Sequence, residues 1–277
     1  MKPLHYERRA LDLNAYKLRS AQEDDYDTLV TESSAVYENG DLMIVYQELD
    51  LDCADIVQAL QNIRYETSSR TDGLPTTSRI FGFSPRVTIR KDFCSATSLA
   101  KEQPAEHALV CQYAEKVADC YQRVNNPLYE QHLAATEGHV IGEYRVKNSP
   151  FTSGIINKNN PLKYHFDTGN FKSVWSCMLV FKHQVGGGYL SVPEYGLGFE
   201  LKHNSLFMFD GQGLLHGVTP IRKRSATAFR YSIVYYSLRE MWNCLPITDE
   251  LLRIRNLKTE REIKRTQQRA KPDFKKQ

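Results

Sequence analysis

Apolar and polar positions follow two rhythms along the chain, and the change falls near residue 139. Before it the spacing is mostly helical. Cys53 to Ile63 places Ile56, Leu60 and Ile63 on one face. Pro104 to Tyr121 repeats apolar residues at Leu109, Cys111, Tyr113, Val117 and Tyr121, with Pro104 suited to a first turn. A further helix is predicted through Leu128 to Ala135. The run MIVYQE, Met43 to Glu48, reads as a strand, and Thr67 to Pro75 as a loop rich in turn formers. Residues 1 to about 60 are otherwise mixed, with an acidic loop at Glu23-Asp24-Asp25. From His139 onward, β-branched and aromatic runs succeed one another with turn signals between: HVIGEYRV, FTSGIIN, SVWSCMLVFK, GYLSVP, SLFMFD and TAFRYSIVYYSL. Gly186-Gly187-Gly188 reads as a hairpin turn; no GK[ST] follows it, so it is not a phosphate loop. Closely spaced strands of this kind predict a β-sandwich or barrel rather than alternating βα units. Thr248 to about Ala270 reads as a closing helix, with Thr248 as its cap and acidic Asp249 and Glu250 at its positive end.

Composition narrows the class. A chain of 277 residues with 41% hydrophobic, 25% charged and 11% aromatic residues can bury a sizeable core and is not disordered. No apolar run approaches a membrane span, and the start, MKPLHYERRALDL, does not read as a secretory signal. The six cysteines form no CxxC pair, which points to reduced thiols in a cytoplasmic or nuclear protein. The net charge of +3 is unevenly spread. Leu251 to Gln277 holds ten Lys or Arg against three Asp or Glu, so this stretch carries +7 and residues 1–250 carry −4. Its first half, with Leu251, Leu252, Ile254, Leu257 and Ile263, is expected to dock on the body, and the part from Lys264 to form a basic arm. Arg79, Arg86, Arg90 and Lys91 lie among apolar residues, either as a solvated face or as a surface for a polyanion.

One triplet carries chemistry. In a strand, His165 and Asp167 of HFD point to one face, and His216 follows 51 residues later beyond the run SLFMFD. Two histidines and a carboxylate on neighbouring strands form the facial triad of non-haem Fe(II) oxygenases, which leaves coordination positions open. Arg230 lies in the apolar strand AFRYSIVYY, where a guanidinium needs an anionic partner, and Ser232 shares its face. A dicarboxylate co-substrate reaching from the metal to Arg230 suits that arrangement; an internal ion pair is the alternative. The remaining histidines have no companion at ligand spacing.

The string HFD…GGYLSVPEY…FDGQGLLHGVTP…RYSIVYY resembles the TET/JBP family of Fe(II)- and 2-oxoglutarate-dependent dioxygenases, most closely from about Phe151 to Trp242 and more weakly over Ser78 to Arg86. The chain looks like the compact members found in phages and fungi, without the cysteine-rich zinc-binding region of the animal proteins. The resemblance implies an α+β fold, a double-stranded β-helix (jelly roll) core buttressed by helices. Fe(II), 2-oxoglutarate and dioxygen are the implied cofactor and co-substrates. His165, Asp167 and His216 fall on the iron ligands, Arg230 and Ser232 on the co-substrate carboxylate contacts, and Ser191 on a polar co-substrate contact. Asn170 falls where the TET branch contacts the target base, with Asn157, Arg79 and Arg86 as further substrate-side residues. Leu238 stands where some members have a base-contacting His. The implied substrate is DNA containing a 5-methylpyrimidine, flipped from the stack: 5-methylcytosine, oxidised to 5-hydroxymethylcytosine or beyond, or thymine as in the J-base branch.

The expected organisation is one dioxygenase domain over residues 1–250, with the jelly roll at about 139–242, a substrate-side and helical part at about 43–135, and the tail at 251–277. The expected state is a monomer, with no membrane contact. Two rival classes stay open: a protein or small-molecule hydroxylase on the same fold, and a non-catalytic nucleic-acid-binding module with a vestigial metal site.

Overall fold

The computed structural model describes residues 1–16, 19–69, 75–86 and 93–269. The N-terminal part supplies strands β1 (Lys2–His5), β2 (Thr28–Val30), β3 (Ser34–Glu38) and β4 (Asp41–Glu48), with a short helix α1 (Leu13–Tyr16). Helix α2 (Ala54–Asn62) leads to strands β5 (Glu66–Ser69), β6 (Pro75–Ser84) and β7 (Ser95–Ala96). A helical block follows: α3 (Ser98–Glu102), α4 (Pro104–Val124) and α5 (Asn126–His139). The strand-rich part holds β8 (Ser153–Lys158), β9 (Leu162–His165), β10 (Ser176–His183), β11 (Val185–Gly187), β12 (Leu190–Val192) and β13 (Leu197–Phe199). It continues with β14 (Ser205–Phe209), β15 (His216–Val218), β16 (Ile221–Lys223) and β17 (Phe229–Tyr236), and the chain closes in α6 (Ile247–Arg269).

Two sheets face each other. The major sheet runs β1-β3-β4-β14-β10-β17-β8-β6-β5, with β7 on β6, and the minor sheet runs β2-β13-β12-β15-β9. This is the jelly-roll arrangement with helices on one side, an α+β fold. The period of two along each strand sorts side chains between two cores. On β10, Cys177, Leu179 and Phe181 face the helices, while Met178 and Val180 face the minor sheet. On β14, Leu206 and Met208 face the helices and Phe207 and Phe209 the opposite side. Helix α4 buries Val110, Tyr113, Ala114, Val117, Ala118 and Tyr121, a stripe at helical spacing that covers the outer face of the major sheet. Pro104 stands in its first turn, and Asn125 ends it while its Oδ1 accepts from Leu128 N–H to cap α5.

Several expectations are corrected. HVIGEYRV does not form a strand: His139 ends α5, and Gly142–Tyr144 form a single 3-10 turn. The three glycines do not make a hairpin turn. Gly186 and Gly187 pair with Arg222 and Ile221 of β16, and the chain passes through Gly188 into β12. Helix α6 begins at Ile247, so Thr248 lies within it and is not its cap. Leu251, Leu252 and Ile263 are more than half exposed, whereas Ile254 and Leu257 are partly buried, so only part of the expected stripe is covered. Its root is fixed by Glu250, a buried carboxylate that accepts from Arg86 and from the N–H groups of Leu245 and Cys94. Residues 264–269 continue the helix; residues 270–277 of the expected basic arm, and Arg90 and Lys91, lie outside the described residues. Not all cysteines are free thiols. Cys94 and Cys244 form a disulfide across a separation of 150 residues, a pairing that only the fold brings together. Cys53, Cys111, Cys120 and Cys177 are free. Among the described residues, no helix is long and apolar enough to cross a membrane.

Candidate active site

The two sheets enclose a cavity whose walls carry different chemistry. On the minor sheet, His165 ends β9 and His216 begins β15, and the two are direct partners in the antiparallel register. Strand pairing therefore brings together two imidazoles 51 residues apart, with ring centroids 4.4 Å apart. Asp167 does not lie on the strand, as simple alternation would have it. β9 stops at His165, and Asp167 opens a turn whose N–H donates to Gly211 O at 2.8 Å. Its Oδ1 lies 3.6 Å from His165 Nε2 and 3.9 Å from His216 Nε2. One ligand atom from each of the three residues lies within 4.8 Å of the others.

Both imidazoles are oriented in the same way. His165 Nδ1 lies 2.8 Å from Lys163 O and His216 Nδ1 3.0 Å from Leu214 O, the carbonyl two residues earlier in each case. A carbonyl only accepts, so each Nδ1 carries a proton, which leaves each Nε2 as the ring nitrogen directed toward the other imidazole and toward Asp167. Such an outer hydrogen bond is what fixes a metal-ligating histidine. Glu194 adds support from behind: its Oε2 accepts from Leu215 N–H at 2.6 Å, next to His216, and its other oxygen pairs with Arg8. Burial raises the Glu194 pKa, and Arg8 and the Leu215 N–H oppose the rise.

The opposite wall is the major sheet. β17 turns Arg230, Ser232, Val234 and Tyr236 into the cavity and Tyr231, Ile233 and Tyr235 toward the helices. Arg230 is 2% exposed. Its Nη2 has no hydrogen-bond partner, and burial lowers its pKa to about 10. A buried guanidinium with an unsatisfied N–H is costly unless an anion joins it. Gly188 makes room for it: a Cβ there would come within 3.0 Å of Arg230 Cδ, and its φ of +66° suits glycine. Ser232 pairs in register with Asn157 of β8, which also lines the cavity. Asn160 Nδ2 donates to Asn157 Oδ1 at 3.1 Å, so Asn157 presents its own amide N–H groups. Leu162, Ile155, Leu190, Phe209 and Val218 complete an apolar lining.

Four other residues singled out from the sequence lie elsewhere. Ser191 is fully buried but faces away, because Leu190 takes the inward position on β12; its Oγ lies 2.8 Å from the Tyr164 hydroxyl. Asn170 does not line the cavity. Its amide donates to Ser176 Oγ at 3.0 Å and lies 3.4 Å from Asp167 Oδ2. Arg79 is buried, with its guanidinium paired to Glu66 and Glu102. Arg86 is committed to Glu250 and the Asn243 carbonyl at the root of α6. Residues that the sequence reading does not assign to the site, Gly188, Gly211, Asn160 and Glu194, shape it as neighbours of its functional groups. Only their closeness to HFD, LLH and the Arg230 strand in sequence or sheet could mark them.

The donor set fits Fe(II): two neutral imidazoles and one carboxylate on one side, with open directions toward the cavity. The unsatisfied guanidinium across the cavity fits a carboxylate of a small organic acid.

Comparison with known proteins agrees with this chemistry. Residues 78–239 match the Tet_JBP family model, described as the oxygenase domain of the 2OGFeDO superfamily. Thymine dioxygenase JBP1 of Trypanosoma brucei brucei is 26% identical over 186 residues, covering 66% of this chain and 22% of that protein. The bifunctional helicase and thymine dioxygenase JBP2 of Trypanosoma brucei brucei (strain 927/4 GUTat10.1) is 29% identical over 114 residues, covering 41% of this chain and 10% of that one. The chain thus spans less than a quarter of the length of these curated relatives. A solved structure of NgTET1 in complex with 5mC DNA superposes with a TM-score of 0.59 over 81% of this chain and 83% of that one, at 15% identity, and so supports the fold. With the family model spanning more than half its length, the chain belongs to the Tet_JBP family of dioxygenases, whose superfamily works with Fe(II), 2-oxoglutarate and dioxygen.

Proposed function

We propose that the chain oxidises the 5-methyl group of a pyrimidine in DNA, with 5-methylcytosine as the target base. The observation that carries the oxidation chemistry is the shared cavity in which the His165, Asp167 and His216 ligand atoms face an unsatisfied, buried Arg230. With Fe(II) and 2-oxoglutarate held there, dioxygen would supply one oxygen atom to the methyl C–H bond and the other to succinate, formed from 2-oxoglutarate with loss of carbon dioxide.

The residues divide the remaining work. His165, Asp167 and His216 hold the ion. Arg230 pairs with the co-substrate carboxylate through its planar fork, and Ser232 adds a hydroxyl donor from the same face. Asn157 offers amide N–H donors beside Ser232 to a polar edge of co-substrate or base. The apolar lining excludes water from the reacting methyl group. A methyl on a stacked base cannot reach ligands enclosed between two sheets, so the target nucleotide leaves the stack and enters the cavity.

Thymine is the second reading, favoured by the thymine dioxygenases among the curated relatives. Duplexes that differ at one position separate the two. Succinate release dependent on 2-oxoglutarate should rise with 5-methylcytosine at that position over cytosine, against a background in which every thymine is replaced by uracil. A rise with thymine alone would move the assignment to the second reading. No rise with either base would exclude both.

A further inference from the structure

Each imidazole of the site is oriented by one peptide unit, and the other edge of that unit is held from behind. His165 Nδ1 donates to Lys163 O, and the N–H of the same peptide, Tyr164 N–H, donates to Arg19 O at 3.0 Å. His216 Nδ1 donates to Leu214 O, and the N–H of that peptide, Leu215 N–H, donates to Glu194 Oε2 at 2.6 Å. A peptide unit is planar, so fixing its N–H also fixes the direction of its carbonyl. Arg8 secures the second of these anchors. Its Nη2 pairs with Glu194 Oε1 and donates to Gly213 O at 2.6 Å. Glu194 is 4% exposed, and a carboxylate so buried is costly without a cation and hydrogen-bond donors around it. Arg8 and Arg19 both belong to the N-terminal segment, which precedes the residues 78–239 that match the family model. Ala21 of the same segment is fully buried in one cluster with Tyr164 and Leu215, the residues just before the two histidines.

We propose that the N-terminal segment is part of the metal site: Arg8, through Glu194 and the Leu214–Leu215 peptide, is a positioning residue for His216, as the Arg19 carbonyl is for His165. This rests on the reading of His165, Asp167 and His216 as the Fe(II) site. Without Glu194 the Leu215 N–H loses its acceptor and the peptide is free to turn, and Leu214 O then no longer directs the imidazole.

Mn(II) titration of the full chain, without DNA or 2-oxoglutarate, tests this. Loss of an outer-shell partner weakens metal affinity by about 10–100-fold. Glu194→Ala should show a loss in that range. Glu194→Gln, whose amide oxygen can still accept from Leu215 N–H, should recover most of it. Arg8→Met should lose about tenfold, the low end of the same range. The Arg8 side chain is 40% exposed, and two backbone bonds keep the segment in place without it, Arg8 N–H to Glu38 Oε1 and Arg9 N–H to Glu194 O. Arg8→Met should therefore unfold at the temperature of the parent, and it decides the matter if Glu194→Ala does not fold. Arg9→Met removes the neighbouring pair with Asp27, which touches neither peptide, and should bind Mn(II) as the parent does. Parent-like Mn(II) affinity in folded Arg8→Met, or an equal loss in Arg9→Met, would overturn the proposal. A parent that binds no Mn(II), or a His165→Ala variant that binds as well as the parent, would instead remove the metal-site reading on which the proposal rests.

Discussion

Gly211 holds Asp167 in two ways: its carbonyl accepts the Asp167 N–H at 2.8 Å, and the space where its Cβ would stand is taken by Asp167 Oδ2, 2.5 Å away. A side chain at Gly211 therefore pushes directly on a candidate metal ligand. Gly211→Ala should rotate the carboxylate away from His165 and His216 and reduce metal affinity by at least about tenfold, comparable to loss of an outer-shell partner. Mn(II) titration checks this, with circular dichroism to confirm the fold.

Arg230 should govern the co-substrate and not the metal. Truncating one partner of a buried charge-assisted pair costs about 2–5 kcal/mol, and each 1.4 kcal/mol is about tenfold in affinity. Arg230→Ala should raise the 2-oxoglutarate KM by at least about 30-fold and leave Mn(II) binding near that of the parent. Gly188→Ala should act in the same direction more weakly, by crowding the Arg230 side chain at a positive φ. An unchanged KM in Arg230→Ala would assign Arg230 to structure alone.

His132 sets a pH dependence of stability. It is fully buried, with Nε2 2.8 Å from Ser237 Oγ and no partner for Nδ1, and burial lowers its pKa to about 3. In the unfolded chain a histidine titrates near 6.5. The folded value is the lower one, so the contribution is fully present above about pH 6.5 and is lost as the pH falls toward about 3. His132→Gln should reduce the slope of unfolding free energy against pH in that window, by up to about 1.4 kcal/mol per pH unit. Urea denaturation at several pH values measures it; an unchanged slope would show that His132 is not the group responsible.

The metal triad and the Arg230 wall are legible in the sequence because their chemistry is carried by residue type and strand rhythm. HFD, the later His216 and an Arg inside an apolar strand are unusual enough in combination to be read without coordinates. Arg79 and Arg86 are harder to read for the opposite reason. A basic residue between apolar ones looks the same whether its partner is a phosphate or a glutamate from a distant element, and here the partners are Glu66, Glu102 and Glu250. Ser191 depends on strand phase: a shift of one residue exchanges the cavity face for the far face, and β12 places Leu190 inward. The Cys94–Cys244 pairing spans 150 residues and leaves no mark in local spacing.

Helix α6 carries exposed apolar and basic side chains and is fixed mainly at its root. If it tracks phosphates, deletion of residues 264–277, which removes Lys264, Arg265, Arg269, Lys271, Lys275 and Lys276, should weaken DNA binding at low salt. For every phosphate that the shortened chain no longer neutralises, the slope of log affinity against log salt should flatten by about 0.9. Fluorescence anisotropy at several salt concentrations reads both. A truncated chain with the parent's affinity and slope would assign the basic helix to solubility.

The most direct measurement is nucleoside mass spectrometry of DNA incubated with the chain, Fe(II) and 2-oxoglutarate in air, beside an Asp167→Ala control. The expected result is the mass of one added oxygen on 5-methyl-2′-deoxycytidine, dependent on 2-oxoglutarate and absent from the control. DNA whose 5-methyl-2′-deoxycytidine and thymidine both remain unmodified, from a chain shown to bind metal and 2-oxoglutarate, would contradict the proposed function.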